Sequence, residues 1–385
     1  METEKKHQKH EHLARPAYGT FHRNEWALLG APCGVIRSLV VELSRQLGQR
    51  WNCAYADADH GSGESEKAAR LPEGLTLAYT DKIGFHRFDR RSDFNTYHWR
   101  MQCNDVDVVF VNGNHFTAKR QVVIVHPAKL ESLQRKLDRL TNVDAVLLAE
   151  GVSEVPPFLK PYLAADVPVW ALDAQPKLVS FFEEKLKAAV PPVKGLVLAG
   201  GRSRRMKQDK SLLEYHGMPQ RDYVYRQLQQ VCGEVFMSCR PEQGAMLMLE
   251  YPLVVDAFLN LGPLGAILSA FRQEPDTAWL VVACDLPLLD VETLEFLLQQ
   301  RNPSAVATAF RSPHDGWPEP LVALWEPRAY PLLLEFMAQG YSCPRKVLIN
   351  SRVHLVDAAD PAVLRNANTP EEAVEIAAEI ARRKR

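Results

Sequence analysis

Lys194-Gly-Leu-Val-Leu-Ala-Gly-Gly201-Arg-Ser-Arg-Arg-Met-Lys-Gln-Asp-Lys210 is an apolar strand that runs into a double glycine and then into a basic loop. Glycines at the C-terminal end of a strand let backbone N–H groups approach phosphate oxygens with no Cβ in the way. Arg202, Arg204, Arg205, Lys207 and Lys210 put five cations into nine positions of that loop, a density suited to neutralising a triphosphate. The bland reading, a strand-turn with solvated charges, leaves the double glycine without a purpose. In an open α/β sheet ligands sit at the carboxyl ends of the strands. The stretch therefore predicts both a sheet and the end of it that works. It is not a Walker loop, because G-x-x-x-x-G-K-[ST] is absent.

Strands alternate with helices on both sides of this stretch. Downstream, the apolar spacing predicts helices over 221–231, 263–272, 291–300, 327–337, 344–348 and 370–382. Strands are expected at 234–238, 253–255, 279–284, 305–308, 320–324 and 353–356. Upstream, strands are expected at 25–30, 51–56, 106–111, 121–125, 145–148 and 167–172, with a helix running to Arg50 and another over 127–140. Val190-Pro-Pro-Val193 reads as a linker. The expected organisation is a mobile, His-rich tail (1–20) followed by two three-layer α/β domains, 21–190 and 191–385. His7, His10 and His12 in that tail are potential metal chelators, with a solvated tail as the plainer reading.

Composition narrows the class. The chain has 385 residues, 46% hydrophobic and 24% charged, with a formal net charge of −1, so no basic excess points to nucleic acid. No apolar run reaches the ~18 residues a membrane helix needs. Met1–Pro16 is polar throughout, unlike a signal peptide, and the seven cysteines form no C-x-x-C pair. The expectation is a cytoplasmic protein with reduced thiols and no membrane partner.

Further segments follow in order: Val254-Val-Asp256, Gly262-Pro-Leu-Gly265, Val281-Val-Ala-Cys-Asp-Leu-Pro287, Glu319-Pro-Leu-Val-Ala-Leu-Trp325 and Asn366-Ala-Asn-Thr-Pro-Glu-Glu372. With the opening L-A-G-G-x-x-x-R-M motif, this ordered set resembles the molybdenum cofactor guanylyltransferases over residues 194–382. The resemblance implies a Rossmann-like nucleotidyltransferase domain with a mixed sheet. It would transfer GMP from GTP to molybdopterin, with Mg²⁺, and release pyrophosphate. Carried over residue by residue, Arg205, Lys210 and Asp285 would be catalytic, with Asp285 holding the metal. Leu198, Ala199, Gly200, Gly201, Lys210, Ser238, Asp256, Asn366 and Asn368 would contact the nucleotide or pterin. Lys207 stands where the family usually has glycine, and Ser238 where it often has asparagine. Cytidylyl transfer to the same pterin, another phosphate acceptor, or a non-catalytic pterin-binding adaptor are the alternatives. Molybdoenzyme apoproteins and other cofactor-biosynthesis proteins are the expected partners.

In the N-terminal half, Gly30-Ala-Pro-Cys-Gly34-Val-Ile-Arg-Ser38 stands where a P-loop would, yet Ile36 and Arg37 occupy the place of its lysine. The context resembles the GTP-binding adaptor of molybdopterin guanine dinucleotide synthesis, which implies a degenerate, P-loop-like parallel sheet fused to the enzyme. Asp57, Asp59 and His60 read either as a cation site or as a polar strand-end turn. Asn112–Phe116 with Lys119 and Arg120 reads as a ligand-lining turn that meets phosphate or as an ordinary charged turn.

Overall fold

The computed structural model describes residues 24–58, 71, 74–91, 95–200 and 209–383. The expected tail, Gly201, Arg205, Asp59 and His60 lie outside them. The chain divides into two compact units, one holding 23–186 and one holding 187–385. No helix among the described residues is long and apolar enough to cross a membrane.

In the first unit, β1 (Asn24–Leu29) leads through Gly30 into α1 (Cys33–Leu47) and then β2 (Cys53–Ala56). Gly30 has φ +97°, and a Cβ there would collide with the carbonyl oxygen of Ile124, so only glycine makes this turn. An antiparallel hairpin, β3 (Leu77–Asp81) and β4 (His86–Arg90), precedes α2 (Thr96–Gln102). Next come β5 (Val108–Asn112), β6 (Arg120–Val125), α3 (Leu130–Gln134), β7 (Val143–Leu148), β8 (Val169–Ala171) and α4 (Gln175–Ala188). Six strands form a parallel sheet in the order β2-β5-β1-β6-β7-β8. On one face Phe182 of α4 meets Trp26 and Phe110 edge-on, each at 5.1 Å.

One expectation fails here for a local reason. The helix expected over 127–140 is broken into 3₁₀ turns at Pro127–Lys129 and Leu137–Arg139 around the short α3. Lys129 and Lys136 leave helical backbone angles at the breaks. The released side chains of Lys136 and Arg139 donate to the carbonyls of Asn114 (3.2 Å) and Gly113 (2.9 Å). Of the two readings of Arg120, phosphate contact or ordinary charged turn, the structure favours the second, since Arg120 is paired with part-buried Asp144 and lies 4.7 Å from the Trp26 ring centroid.

The second unit runs β9 (Val193–Leu198), α5 (Gln220–Val231), β10 (Val235–Cys239), α6 (Pro241–Leu247), β11 (Leu253–Val255), α7 (Pro263–Gln273) and β12 (Ala278–Ala283). It continues with α8 (Val291–Gln299), β13 (Ala307–Arg311), β14 (Pro318–Trp325), α9 (Ala329–Ala338), α10 (Pro344–Ile349), β15 (Val353–Val356) and α11 (Pro370–Arg383). The seven strands lie in the order β11-β10-β9-β12-β14-β13-β15, with β14 antiparallel to both its neighbours. The sheet is therefore mixed and buried on both faces. Val197, Leu280, Val282 and Leu324 pack on one side, and Leu196, Trp279, Val281 and Trp325 on the other. That is why these strands read as unbroken apolar runs.

Candidate active site

The carboxyl ends of β10, β9 and β12 lie side by side. The parallel ladder of β9 and β12 ends with Ala283 opposite Leu198, and Gly200 and Asp285 each follow two residues beyond that last pair. A cleft of about 730 Å³ opens there. Leu198, Ala199, Gly200, Lys210, Ser238, Asp256 and Asp285 all line it, as do Arg240 and residues of the 258–263 loop. Ala199 N donates to the Ser238 carbonyl (3.3 Å), which ties the first glycine of the loop to β10. A Cβ on Gly200 would sit 3.6 Å from Asp256 Oδ2, so its absence keeps the floor of the cleft open.

Lys210 begins a single 3₁₀ turn whose N-cap is Asp209; that carboxylate accepts from Ser211 N at 3.0 Å and from Ser211 Oγ at 2.8 Å. The turn aims Lys210 Nζ at Asn368 Oδ1 (2.7 Å) and at Asp285 Oδ2 (3.7 Å). Asn368 arrives from far along the chain because Ala367 N donates to the Asp285 carbonyl at 2.9 Å. Thr369 and Glu372 then close a capping box on α11: Glu372 Oε2 accepts from Asn368 N (2.7 Å) and Thr369 N (3.1 Å), and Thr369 Oγ1 accepts from Glu372 N (3.3 Å). The Asn-x-Asn-Thr-Pro-Glu-Glu motif is thus partly a helix start and partly a fixed amide beside the lysine. Desolvation pushes the Asp285 carboxyl above the usual carboxylate range, Lys210 pulls it down, and Glu319 adds to the rise.

Asp256 follows β11, and its N–H donates to the Cys239 carbonyl at 2.9 Å. Ser238 Oγ donates to Asp256 Oδ1 at 3.1 Å, and Arg240 stands nearby as the N-cap of α6. Desolvation pushes the Asp256 carboxyl up to about 6; Ser238 and Arg240 oppose the shift and Glu242 adds to it. The folded chain holds this proton more tightly than the unfolded chain does. Keeping Asp256 in the cleft therefore costs stability as the pH rises from the ordinary carboxylate range through about 6. Ligand binding runs the other way. If a nucleotide's hydroxyl or base N–H donors meet Asp256, they bond more strongly to the ionised carboxylate, so affinity should fall as the pH drops through about 6. Calorimetric titration of a nucleoside triphosphate across that range is expected to show an inflection that Asp256→Asn lacks. A profile shared by the two proteins would count against this role.

Part of the cleft wall is a tight loop that glycines make possible. Gly262 (φ +58°, ψ −138°) is the N-cap of α7 in a conformation reserved for glycine. A Cβ on Gly265 would fall inside the contact distance of the Phe258 carbonyl oxygen. Alanine in a helix interior ordinarily gains about 1 kcal/mol over glycine. Gly265→Ala should instead lose about 2–3 kcal/mol through overpacking. A thermal melt checks it, and a melt equal to or above the parent's would show that the loop yields freely.

Among the described residues expected in this site, Asn366 sits elsewhere. Asn366 lines an adjoining cleft of about 500 Å³ with Glu319, Ser342 and Arg345; Pro263 and Leu321 border both clefts. Arg345 is held by Glu319 (2.9 Å) and Asp315 (2.8 Å). Sequence reasoning missed Asp209, Arg240 and Arg345. Asp209, directly before the lysine, carried an N-cap signal; Arg240 and Arg345 look in sequence like any surface arginine.

Residues 195–355 match the model of the MobA-like NTP transferase domain. Molybdenum cofactor guanylyltransferase of Pseudomonas putida is 33% identical over 187 residues, which cover 48% of this chain and 96% of that protein. The chain belongs to the molybdenum cofactor guanylyltransferase family. It is a nucleotidyltransferase of that family, and its second unit carries the matching domain. The molybdenum cofactor biosynthesis bifunctional protein of Synechocystis sp. is 36% identical over 197 residues, 51% of this chain, but the match spans only 57% of that protein's length. Molybdopterin-guanine dinucleotide biosynthesis protein A of Archaeoglobus fulgidus, a solved structure, superposes with a TM-score of 0.43 at 24% identity, over 49% of this chain and 99% of its own.

Proposed function

We propose that the second unit of this guanylyltransferase-family chain transfers GMP from GTP to molybdopterin and releases pyrophosphate. The observation that carries this reading is the convergence of Gly200, Lys210, Asp256 and Asp285 on one cleft at the carboxyl ends of the four neighbouring strands β11, β10, β9 and β12. A terminal phosphate oxygen of the pterin attacks the α-phosphorus in line; the new P–O bond forms as the bond to pyrophosphate breaks. No protein nucleophile takes part, so orientation and charge neutralisation carry the rate. Lys210, fixed by Asn368, meets the phosphate oxygens, and Gly200 lets the backbone close on them. Asp256 accepts from the nucleoside end, with Arg205 as a further phosphate contact and Gly201 as part of the backbone cradle. The adjoining cleft of Arg345, Ser342 and Asn366 receives the anionic acceptor.

Mg²⁺ fits the donor set. Among the described residues no three His, Cys, Asp or Glu side chains converge as an all-protein cage. A desolvated Asp285 beside a phosphate-binding lysine nonetheless matches an ion that takes one or two carboxylates plus phosphate oxygens and water. When bound, Mg²⁺ supplies charge stabilisation of the phosphates.

For the first unit, we propose a degenerate GTP-binding adaptor that engages cofactor-biosynthesis proteins or target apoenzymes. Its support is the parallel sheet with a glycine turn into α1 and no P-loop lysine.

The test is pyrophosphate release from the pure full chain with Mg²⁺, molybdopterin and each of the four nucleoside triphosphates. Release with GTP alone is the expected result. Release with CTP alone would move the assignment to cytidylyl transfer, and silence with all four would remove the catalytic reading.

A further inference from the structure

The first unit holds a thiol that guanylyl transfer does not use. Cys33 is the first residue of α1, whose N-cap is Pro32; no side chain caps this helix end and its first turn has no acidic residue. Cys33 Sγ lies 3.3 Å from His115 Nε2, and Asn114 Nδ2 donates to the same sulfur at 3.8 Å. Both partners belong to the loop after β5, a different element. That loop is fixed rather than loosely apposed: Asn114 Nδ2 also donates to the Ala31 carbonyl (2.8 Å), Lys136 to the Asn114 carbonyl (3.2 Å) and Arg139 to the Gly113 carbonyl (2.9 Å).

The surroundings are cationic. Desolvation, then the charges of Arg139, Lys129 and Arg135, pushes Lys136 below the usual lysine range, with the Cys33 sulfur acting in the opposite sense. On the β2 side stand Tyr55 and Asp57, and Asp57 is already taken by Arg37 (3.2 Å), Asn112 (2.7 Å) and Tyr55 (3.0 Å). Cys33 and His115 are half-buried, reachable by a small molecule. The other thiols differ. Cys103, Cys232, Cys239 and Cys284 are buried, burial pushes Cys53 up to about 11, and Cys343 is simply exposed.

We propose that Cys33 and His115 form a reactive thiol dyad that exchanges with small, anionic disulfides. In the tautomer protonated at Nδ1, His115 Nε2 accepts the thiol proton. Cys33 Sγ then attacks one sulfur of the disulfide, the S–S bond breaks, and the other half departs as a thiolate with the electron pair. The product is a mixed disulfide on Cys33, and the disulfide itself is the oxidant. Lys136 and Arg139 favour a negatively charged partner over a neutral one.

The experiment treats the full chain with 5,5′-dithiobis(2-nitrobenzoate), following thionitrobenzoate release and the masses of the Cys33 and Cys343 peptides. Cys33 is expected to react at least about a hundredfold faster than exposed Cys343, the low end of what a positioned base contributes. The fast phase should vanish in Cys33→Ser and slow by about a hundredfold in His115→Gln at an unchanged melting temperature. Cys33 reacting no faster than Cys343 overturns the proposal, and that comparison needs no variant. So does a fast phase that keeps its full rate in His115→Gln or, should that variant not fold, in His115→Asn.

Discussion

Asp285→Asn is expected to lose roughly a thousandfold in pyrophosphate release, equivalent to about 4 kcal/mol of transition-state stabilisation, while melting at or above the parent temperature. The two signs come from one fact. Desolvation pushes this carboxyl upward, so at neutral pH the folded chain pays for an ionised group that a neutral amide of the same shape spares it. The backbone anchor survives, because the bond from Ala367 N goes to the Asp285 carbonyl and not to the side chain. Lys210 keeps Asn368 at 2.7 Å. A carboxylate retained only for packing would show the reverse: a lower melt with activity falling merely in proportion. Turnover within tenfold of the parent at limiting Mg²⁺ would remove Asp285 from the chemistry.

Why the second unit was readable residue by residue follows from its burial. β9, β12 and β14 are covered on both faces, so their apolar runs are continuous and their ends are marked by glycine, Asp285 and Glu326. The edge of the pattern was less sharp: the strand expected at 305–308 is Ala307–Arg311, because Arg311 turns outward to Asp357 (3.1 Å) and hides the strand's last register. The hairpin β3–β4 was invisible for the opposite reason. Leu77, Tyr79 and Phe88 share its exposed face, while Arg87 and Asp89 face away from it, so its alternation runs against the rule of apolar-in, polar-out. α4 escaped notice although Leu178, Phe182 and Leu186 recur every fourth residue, as a helix requires. In the cleft, the chemistry-bearing residues stood in local motifs, and what sequence could not supply was distance. Nothing in the order of residues says that Asn368 touches Lys210 across 158 positions, or that Asn366, two residues earlier, turns into a different cleft.

That contact makes Lys210 the second sharp test. Lys210→Met is expected to lower kcat/KM by at least about a hundredfold, in line with the loss of a preorganised charge from a site of this kind. Most of the loss should appear as a higher KM for the triphosphate, because the ammonium already waits for phosphate in the free enzyme, held at 2.7 Å by Asn368. Methionine fills the stem's volume but leaves Asp285 without the cation that pulls its carboxyl down, so that carboxyl should rise further. The activity that remains should therefore demand a higher pH than the parent needs. Asn368→Ala separates charge from aim. It keeps the ammonium 3.7 Å from Asp285 but frees it to wander, and is expected to cost about tenfold with the parent's pH dependence. If Asn368→Ala proves as damaging as Lys210→Met, the amide itself touches substrate and the lysine's part is smaller than the geometry gives it. If Lys210→Met changes KM by less than about threefold, well short of a hydrogen bond to a charged group, the triphosphate lies elsewhere in the cleft.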